Sequence, residues 1–279
     1  MSNDKRNSKS KYQSDYDGFL AFAVALSKRA GREMMRHYSP LGFPTTMKKD
    51  KSVVTVVDTL LNRMVIEAIH ATYPQHDVLA EEESSLQNKG DFVWVCDPID
   101  GTRQFSMGTA NFSFSIGLTY RGISVLGVIY EPFTKKLYTA VAGKGAYLNG
   151  TKIHVNTKNR LSDSLCFFTA SIRSRYNILG FVPLLIAHTK RVYNFACCTV
   201  EGNLVASGLA EGLVYANNSA HDFAALKVIL EEAGGKITDL WGNDQRYDRP
   251  LKGVVLSNGR IHTQLIKLLK DTLAHNPYE

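Results

Sequence analysis

Residues 94–102 read Trp94-Val95-Cys96-Asp97-Pro98-Ile99-Asp100-Gly101-Thr102. An apolar run ends in two carboxylates, three residues apart, wrapped around a tight turn. Pro98 fixes its own φ, and Gly101 can adopt backbone conformations that other residues avoid. A buried strand stopping in such a turn aims Asp97 and Asp100 rigidly at one point. Asp-Pro and Asp-Gly are also ordinary turn formers, so the stretch takes its meaning from acids elsewhere in the chain. Ala80-Glu81-Glu82-Glu83 follows Val78-Leu79 at another expected strand end, and Asp222 opens a helix that closes in Ala233-Gly234-Gly235. Taken singly, these acids read as helix caps or solvated faces. Acidic segments gathered at element ends suit hard cations, because Mg²⁺ takes oxygen ligands and completes its shell with waters and substrate phosphate. No His/Cys spacing supports zinc.

Hydrophobic periodicity places the rest of the chain around this stretch. Residues 16–38 read as one amphipathic helix, ending before Pro40 and the Gly42/Pro44 breakers. A second helix is expected over 59–73, with Leu61, Met64, Val65, Ala68 and Ile69 as its buried stripe and Asp58 as its cap. Strands follow at 92–96, 112–120, 123–130 and 137–141, then a hairpin over 147–155 around Asn149-Gly150. The second half alternates: strand 165–169, helix 176–187, strand 191–195, helix 199–209, strand 212–216, helix 222–233, strands 236–239 and 253–257, helix 259–271. Three parts are expected: a flexible basic tail (1–15), an α+β half carrying most of the acids (16–160) and an α/β half completing the site (161–279). The two halves form one compact unit.

Composition sets the outer limits. The 279 residues are 44% hydrophobic and 21% charged, ordinary globular usage that excludes disordered, collagen-like and disulfide-scaffold classes. The net charge of +7 owes much to Lys5, Arg6, Lys9 and Lys11 in a Ser/Asn-rich N-terminal segment. The remainder is dispersed, without a basic stripe interleaved with aromatics, which argues against nucleic acid. Cys96, Cys166, Cys197 and Cys198 form no C-x-x-C pair and read as buried reduced thiols. The apolar run Phe19–Leu26 ends in Ser27-Lys28-Arg29 and continues as a helix, unlike a secretory signal. Ile178–Ala187 is half the roughly 20 residues needed to cross a bilayer. The expectation is a soluble, cytoplasmic protein.

Asp97-Pro98-Ile99-Asp100-Gly101-Thr102 resembles the signature of the inositol monophosphatase-like family of Mg²⁺-dependent phosphomonoesterases. So does His221-Asp222-Phe223-Ala224-Ala225 with Glu232-Ala233-Gly234-Gly235, whose usual form is Trp-Asp-x-Ala-Ala … Glu-Ala-Gly-Gly. Val54-Thr55-Val56-Val57-Asp58, Ala80-Glu81-Glu82, Gly127-Val128-Ile129-Tyr130 and Gly145-Ala146-Tyr147-Leu148-Asn149-Gly150 extend the resemblance over about residues 16–271. Several motifs in the right order are far more specific than any one.

The resemblance implies a five-layer α/β/α/β/α sandwich, as in inositol monophosphatase and fructose-1,6-bisphosphatase, and a lithium-sensitive homodimer. It also implies two or three Mg²⁺ ions. Glu81, Asp97 and the Ile99 carbonyl would hold the first, and Asp97, Asp100 and Asp222 the second, with Glu81 assisting a third. Asp58 and Thr102 would orient and deprotonate the attacking water, with Glu81 as a further catalytic residue. Gly101 and Thr102 would receive the phosphate through their amides, with Cys197 and Asp222 beside the substrate. Two cations about 4 Å apart would acidify water and stabilise the leaving oxygen of an in-line displacement.

Some positions depart from the pattern. His221 replaces the usual Trp, and reads as a ring that packs and makes one hydrogen bond. Ala196-Cys197-Cys198 stands where Gly-Ser/Thr-Ala is common, and Ala216 where a Glu often binds an inositol hydroxyl. Losing such polar partners weakens discrimination among polyols. Arg103-Gln104-Phe105 also differs from the frequent x-Asn-Phe. Arg173 and Arg175 read either as surface arginines or as binders of a second anion. The expected substrate is a small phosphorylated metabolite, inositol monophosphate or a related sugar phosphate. Histidinol phosphate, fructose-1,6-bisphosphate and 3′-phosphoadenosine-5′-phosphate are alternatives. A scaffold binding RNA or protein through the basic tail is the non-enzymatic one.

Overall fold

The computed structural model describes residues 16–47, 53–86, 90–169 and 174–273. The basic tail expected over 1–15 lies outside them, as does Arg173. The chain opens with α1 (Tyr16–His37), whose Tyr16, Phe19, Ala23, Leu26, Ala30 and Met34 recur at helical spacing and are buried. After the short antiparallel pair β1 (Thr46–Met47) and β2 (Val53–Val54) comes α2 (Val56–Thr72). This helix starts three residues before the expected 59. Thr55 is its N-cap, and Asp58 lies inside the first turn as the other half of a capping box. Asp58 therefore does not precede the helix, and Ala68 is only half-buried.

Seven strands make the larger sheet, in sequence order: β3 (Asp77–Ala80), β4 (Phe92–Asp100), β5 (Ser113–Tyr120), β6 (Ile123–Glu131), β7 (Lys136–Val141), β8 (Gly145–Leu148) and β9 (Thr151–Lys152). β3 runs parallel to β4, and every other pair is antiparallel. Asn149 and Gly150 both have positive φ, the geometry of a two-residue hairpin turn. A five-stranded sheet is built from β10 (Leu165–Thr169), β11 (Arg191–Tyr193), β12 (Gly212–Tyr215), β13 (Lys236–Thr238) and β14 (Val254–Ser257), in the order β11-β10-β12-β14-β13.

The remaining helices are the short α3 (Thr102–Ser106), α4 (Phe181–His188), α5 (Cys198–Ala206), α6 (Ala224–Glu232) and α7 (His262–Leu273). α4 begins five residues after the expected 176. The Tyr176 amide donates to the Ala216 carbonyl just past the end of β12, the middle strand of the small sheet, and Pro183 fits only the first turn of a helix.

Three apolar layers hold the sandwich together. α1 and α2 cover one face of the large sheet through Phe19, Met34, Leu61, Trp94 and Ile116. α5 and α6 lie between the sheets, with Phe223, Leu226, Ile229, Val95 and Leu213 among their buried neighbours. α4 and α7 close the far face of the small sheet through Phe181, Leu185, Leu265 and Leu269. The order is helices, sheet, helices, sheet, helices: the expected five layers. No helix among the described residues is long and apolar enough to cross a membrane.

The middle layer depends on two glycines. Gly117 and Gly127 are paired across β5 and β6, directly under the start of α6. A Cβ on Gly117 would lie 2.7 Å from the Ala225 nitrogen, and one on Gly127 would lie 2.3 Å from the Ala225 oxygen. Only bare backbone lets the helix settle this close, and the turn just before the helix carries Asp222. Gly127→Ala should therefore lower stability by about 1–3 kcal/mol or more, read as a urea midpoint shift. Gly18→Ala, on the exposed face of α1 with nothing within 4 Å of the added Cβ, should raise it by about 0.5–1 kcal/mol.

Candidate metal centre

Asp97 and Asp100 have an odd spacing, and in a regular strand they would point to opposite faces. β4 does not stay regular. Asp97 pairs with Ser115 and Asp100 with Ser113, so three steps on β4 match two on β5. This one-residue bulge falls at Pro98-Ile99, where proline has no N–H to lose from the ladder. Because Ser115 and Ser113 are two apart, both aspartates turn to the same side, towards the layer between the sheets.

Other elements bring their ends to the same place. Glu81 follows β3, which runs beside β4 with Ala80 opposite Cys96. Asp222 sits in the turn before α6, where the Ala224 amide donates to the Ala220 carbonyl. One carboxylate oxygen from each of Asp97, Asp100 and Asp222 lies within 4.8 Å of the others; so do donor atoms of Glu81, Asp97 and His221. All three aspartates are buried. Among the described residues no Lys or Arg pairs with them; His221, Nε2 to Oδ1 of Asp222 at 3.6 Å, is the nearest basic group in an ion-pair geometry.

Hydrogen bonds fix the acids without neutralising them. Asp97 Oδ1 accepts from the Ile99 amide at 2.9 Å. Asp100 Oδ2 accepts from the Thr199 amide at 2.7 Å, the Thr199 hydroxyl at 2.5 Å and the Cys197 thiol at 3.2 Å. Ser113 supports the Thr199 hydroxyl at 2.6 Å. Burial, then Glu81, Asp222 and Asp100, push the Asp97 carboxyl well above its ordinary range. Burial and Asp222 raise Asp100 to about 6 against the pull of Thr199. Crowded buried aspartates with elevated proton affinity, and no Lys or Arg on them among the described residues, are a donor set that fits hard divalent ions.

Beside this cluster stands a polar relay. Asp58 Oδ2 accepts from the Thr55 amide at 2.7 Å and the Thr55 hydroxyl at 2.5 Å, leaving Oδ1 for the Thr102 hydroxyl at 3.0 Å. That same hydroxyl is 2.9 Å from the Ile99 carbonyl. Gly101, at φ +84°, makes the turn from β4 into α3; a Cβ there would meet the Asn111 carbonyl at 2.6 Å.

Glu81, Asp97, Ile99, Asp100, Gly101, Thr102, Asp58 and Asp222 thus come together. Cys197, expected beside the substrate, is fully buried with its thiol turned to Asp100. Ala216 is buried, and Arg175 is exposed with its amide on Asn217. Sequence reasoning missed Thr55, Thr199 and Glu201. Thr55 carries a local signal, the Thr-x-x-Asp capping box. Glu201, fully buried, takes the Phe195 amide at 2.6 Å, and burial pushes it up to about 8; nothing near it in sequence announces this.

The family model for the inositol monophosphatase family matches residues 15–274. The chain belongs to the inositol monophosphatase family. A Thermotoga maritima fructose-1,6-bisphosphatase/inositol-1-monophosphatase is 29% identical over 255 residues, covering 91% of this chain and 96% of the relative. The Nus factor SuhB of Escherichia coli K12 is also 29% identical, over 264 residues, covering 91% and 97%. The solved Thermotoga maritima IMPase superposes with a TM-score of 0.83 at 27% identity, covering 92% of this chain and 98% of that one. Family membership and fold thus agree with the motif order in the sequence.

The raised acids make a pH prediction. Between the ordinary 3.8 and about 6, Asp100 holds more proton in the folded chain than in the unfolded one. Its contribution to stability is present below about pH 4 and is lost as pH rises through 6. Without divalent ions, the melting temperature of the wild type relative to Asp100→Asn should fall across pH 4–6. Saturating Mg²⁺ should abolish that fall. A relative melting temperature that rises through this window without metal would contradict the assignment.

Proposed function

We propose that this chain hydrolyses a small phosphate monoester with the help of divalent cations, Mg²⁺ in the first instance. The observation that carries the reading is the convergence of Asp97, Asp100 and Asp222 within 4.8 Å, without Lys or Arg among the described residues to balance them, next to the Asp58–Thr102 pair. Asp97 belongs to both donor groups and would be shared. Glu81, Asp97 and the Ile99 carbonyl would hold one cation, and Asp97, Asp100 and Asp222 another. Lewis acidity toward water and phosphoryl oxygens is what such a cation supplies when bound.

The chain's own groups do the rest. Thr102 Oγ1 orients the attacking water and takes its proton as its own passes to Asp58 Oδ1. Thr55 pins the other oxygen of Asp58, so the receiving atom cannot rotate away. The Gly101 and Thr102 amides receive the phosphate, with the positive φ of Gly101 turning the backbone toward it. The phosphorus–ester bond breaks as the new phosphorus–oxygen bond forms, and solvent protonates the leaving alkoxide. Inositol monophosphate or a related sugar phosphate is the substrate we favour, and the Thermotoga relative's name carries inositol-1-monophosphatase and fructose-1,6-bisphosphatase alike. Histidinol phosphate, fructose-1,6-bisphosphate and 3′-phosphoadenosine-5′-phosphate are the compounds to set beside it. A homodimer, lithium sensitivity and a cytoplasmic setting belong to this proposal.

Phosphate release with and without Mg²⁺ across those four compounds tests it. Asp97→Asn should cut turnover on the order of 10²-fold or more; a variant keeping most of its activity would overturn the shared-ligand role. Thr102→Val should lower kcat on the order of 10²-fold with KM nearly unchanged. A rise in KM alone would instead make Thr102 a binding group. The name of the Escherichia coli relative keeps a binding role in view. Removing residues 1–13 should leave phosphatase turnover intact, whereas a tail-driven scaffold would lose partner affinity and its salt dependence.

A further inference from the structure

His221 occupies the turn that opens α6, one residue before Asp222. One of its ring nitrogens, one Glu81 oxygen and one Asp97 oxygen all lie within 4.8 Å of one another. Three separate elements supply these donors. Glu81 and Asp97 leave the parallel pair β3 and β4 side by side, and His221 faces them from the layer between the sheets. Such a set of donors could serve a single divalent ion. The His221 side chain retains 21% exposure and Glu81 is half-buried, so ion and solvent can reach the place. Helix packing also holds the backbone at His221, since α6 rests directly on Gly117 and Gly127.

The ring places a nitrogen in reach of Glu81 and Asp97 as well as of Asp222 Oδ1. We propose that His221 is a ligand of the cation held by Glu81 and Asp97, giving that position a nitrogen donor and shifting its preference from Mg²⁺ toward Mn²⁺ and later first-row divalent ions. Mg²⁺ takes oxygen and sheds water reluctantly, whereas imidazole strengthens binding of Mn²⁺, Co²⁺ and Zn²⁺. The rival arrangement keeps the ring on Asp222, 3.6 Å from its Oδ1, with no bond to the ion. The inference rests on the metal-dependent reading above and concerns which ion that site selects.

Electron spin-echo spectroscopy of Mn²⁺ bound to the full-length protein decides between them. The wild type should show the ¹⁴N modulation of a directly coordinated imidazole, and His221→Phe should lack it. Mn²⁺ affinity, measured by equilibrium dialysis, should fall on the order of tenfold in His221→Phe, while Mg²⁺ affinity from competition stays nearly constant. Matching melting curves establish that the variant is folded; His221→Asn serves the same comparison if the Phe variant is not. Mn²⁺ binding that Asp97→Asn abolishes but that carries no His221-dependent ¹⁴N signal would overturn this inference and leave the metal centre standing. Failure of Mn²⁺ to bind, or binding indifferent to Asp97→Asn, would overturn both.

Discussion

Mutual repulsion among Asp97, Asp100 and Asp222 is the constraint around which the rest of the structure is arranged. Each is buried; Asp222 and Asp100 raise the proton affinity of Asp97, and Asp222 raises that of Asp100. Like charges crowded in a desolvated space oppose folding unless a cation or a proton relieves them. The fold holds them together through fixed geometry: the bulge in β4, the Thr199 and Cys197 donors on Asp100, and the Ile99 amide on Asp97. Positively poled helix starts near Asp58, Thr102, Thr199 and Asp222 add to this support. A constellation that costs stability when empty of counter-charge is one poised to bind counter-charge.

Packing remote from the acids serves the same end. Gly117 and Gly127 admit α6 to the sheet surface, and Gly202 on α5 leaves room for Leu226 of α6. The two inter-sheet helices consequently interlock, and their starts set Asp222 and Thr199 against the end of β4. The acids on β4 and the acid before α6 come from different halves of the sequence, so the distance between them is as fixed as the core between the sheets. Glu201 extends this support to the 195–197 segment through the Phe195 amide; that segment includes Ala196 at φ +52°.

Much of this was legible in the sequence, and the limits were physical. The signature around Asp97 and Asp100 is local, so its turn and its placement at a strand end could be read directly. The bulge could not, because it exists only in the register against Ser113 and Ser115. The start of α2 was misplaced since Asp58 is attractive as a cap, although Thr55 three residues earlier completes the better box. The start of α4 was misplaced because the bond from Tyr176 to Ala216 is tertiary. Cys197 was assigned to the substrate from its place in a motif, whereas its thiol turns inward to Asp100. The nearness of His221 to Glu81 and Asp97 is tertiary, so no local motif announces it.

In the proposed reaction the acids form one shared cation site with Asp97 at its middle. Anomalous diffraction from crystals grown with Mn²⁺ tests it most directly. Two peaks are predicted, one among Glu81, Asp97 and the Ile99 carbonyl and one among Asp97, Asp100 and Asp222, with Asp97 touching both. No peak within bonding distance of Asp97 in ordered, Mn²⁺-saturated crystals would rule out a shared site.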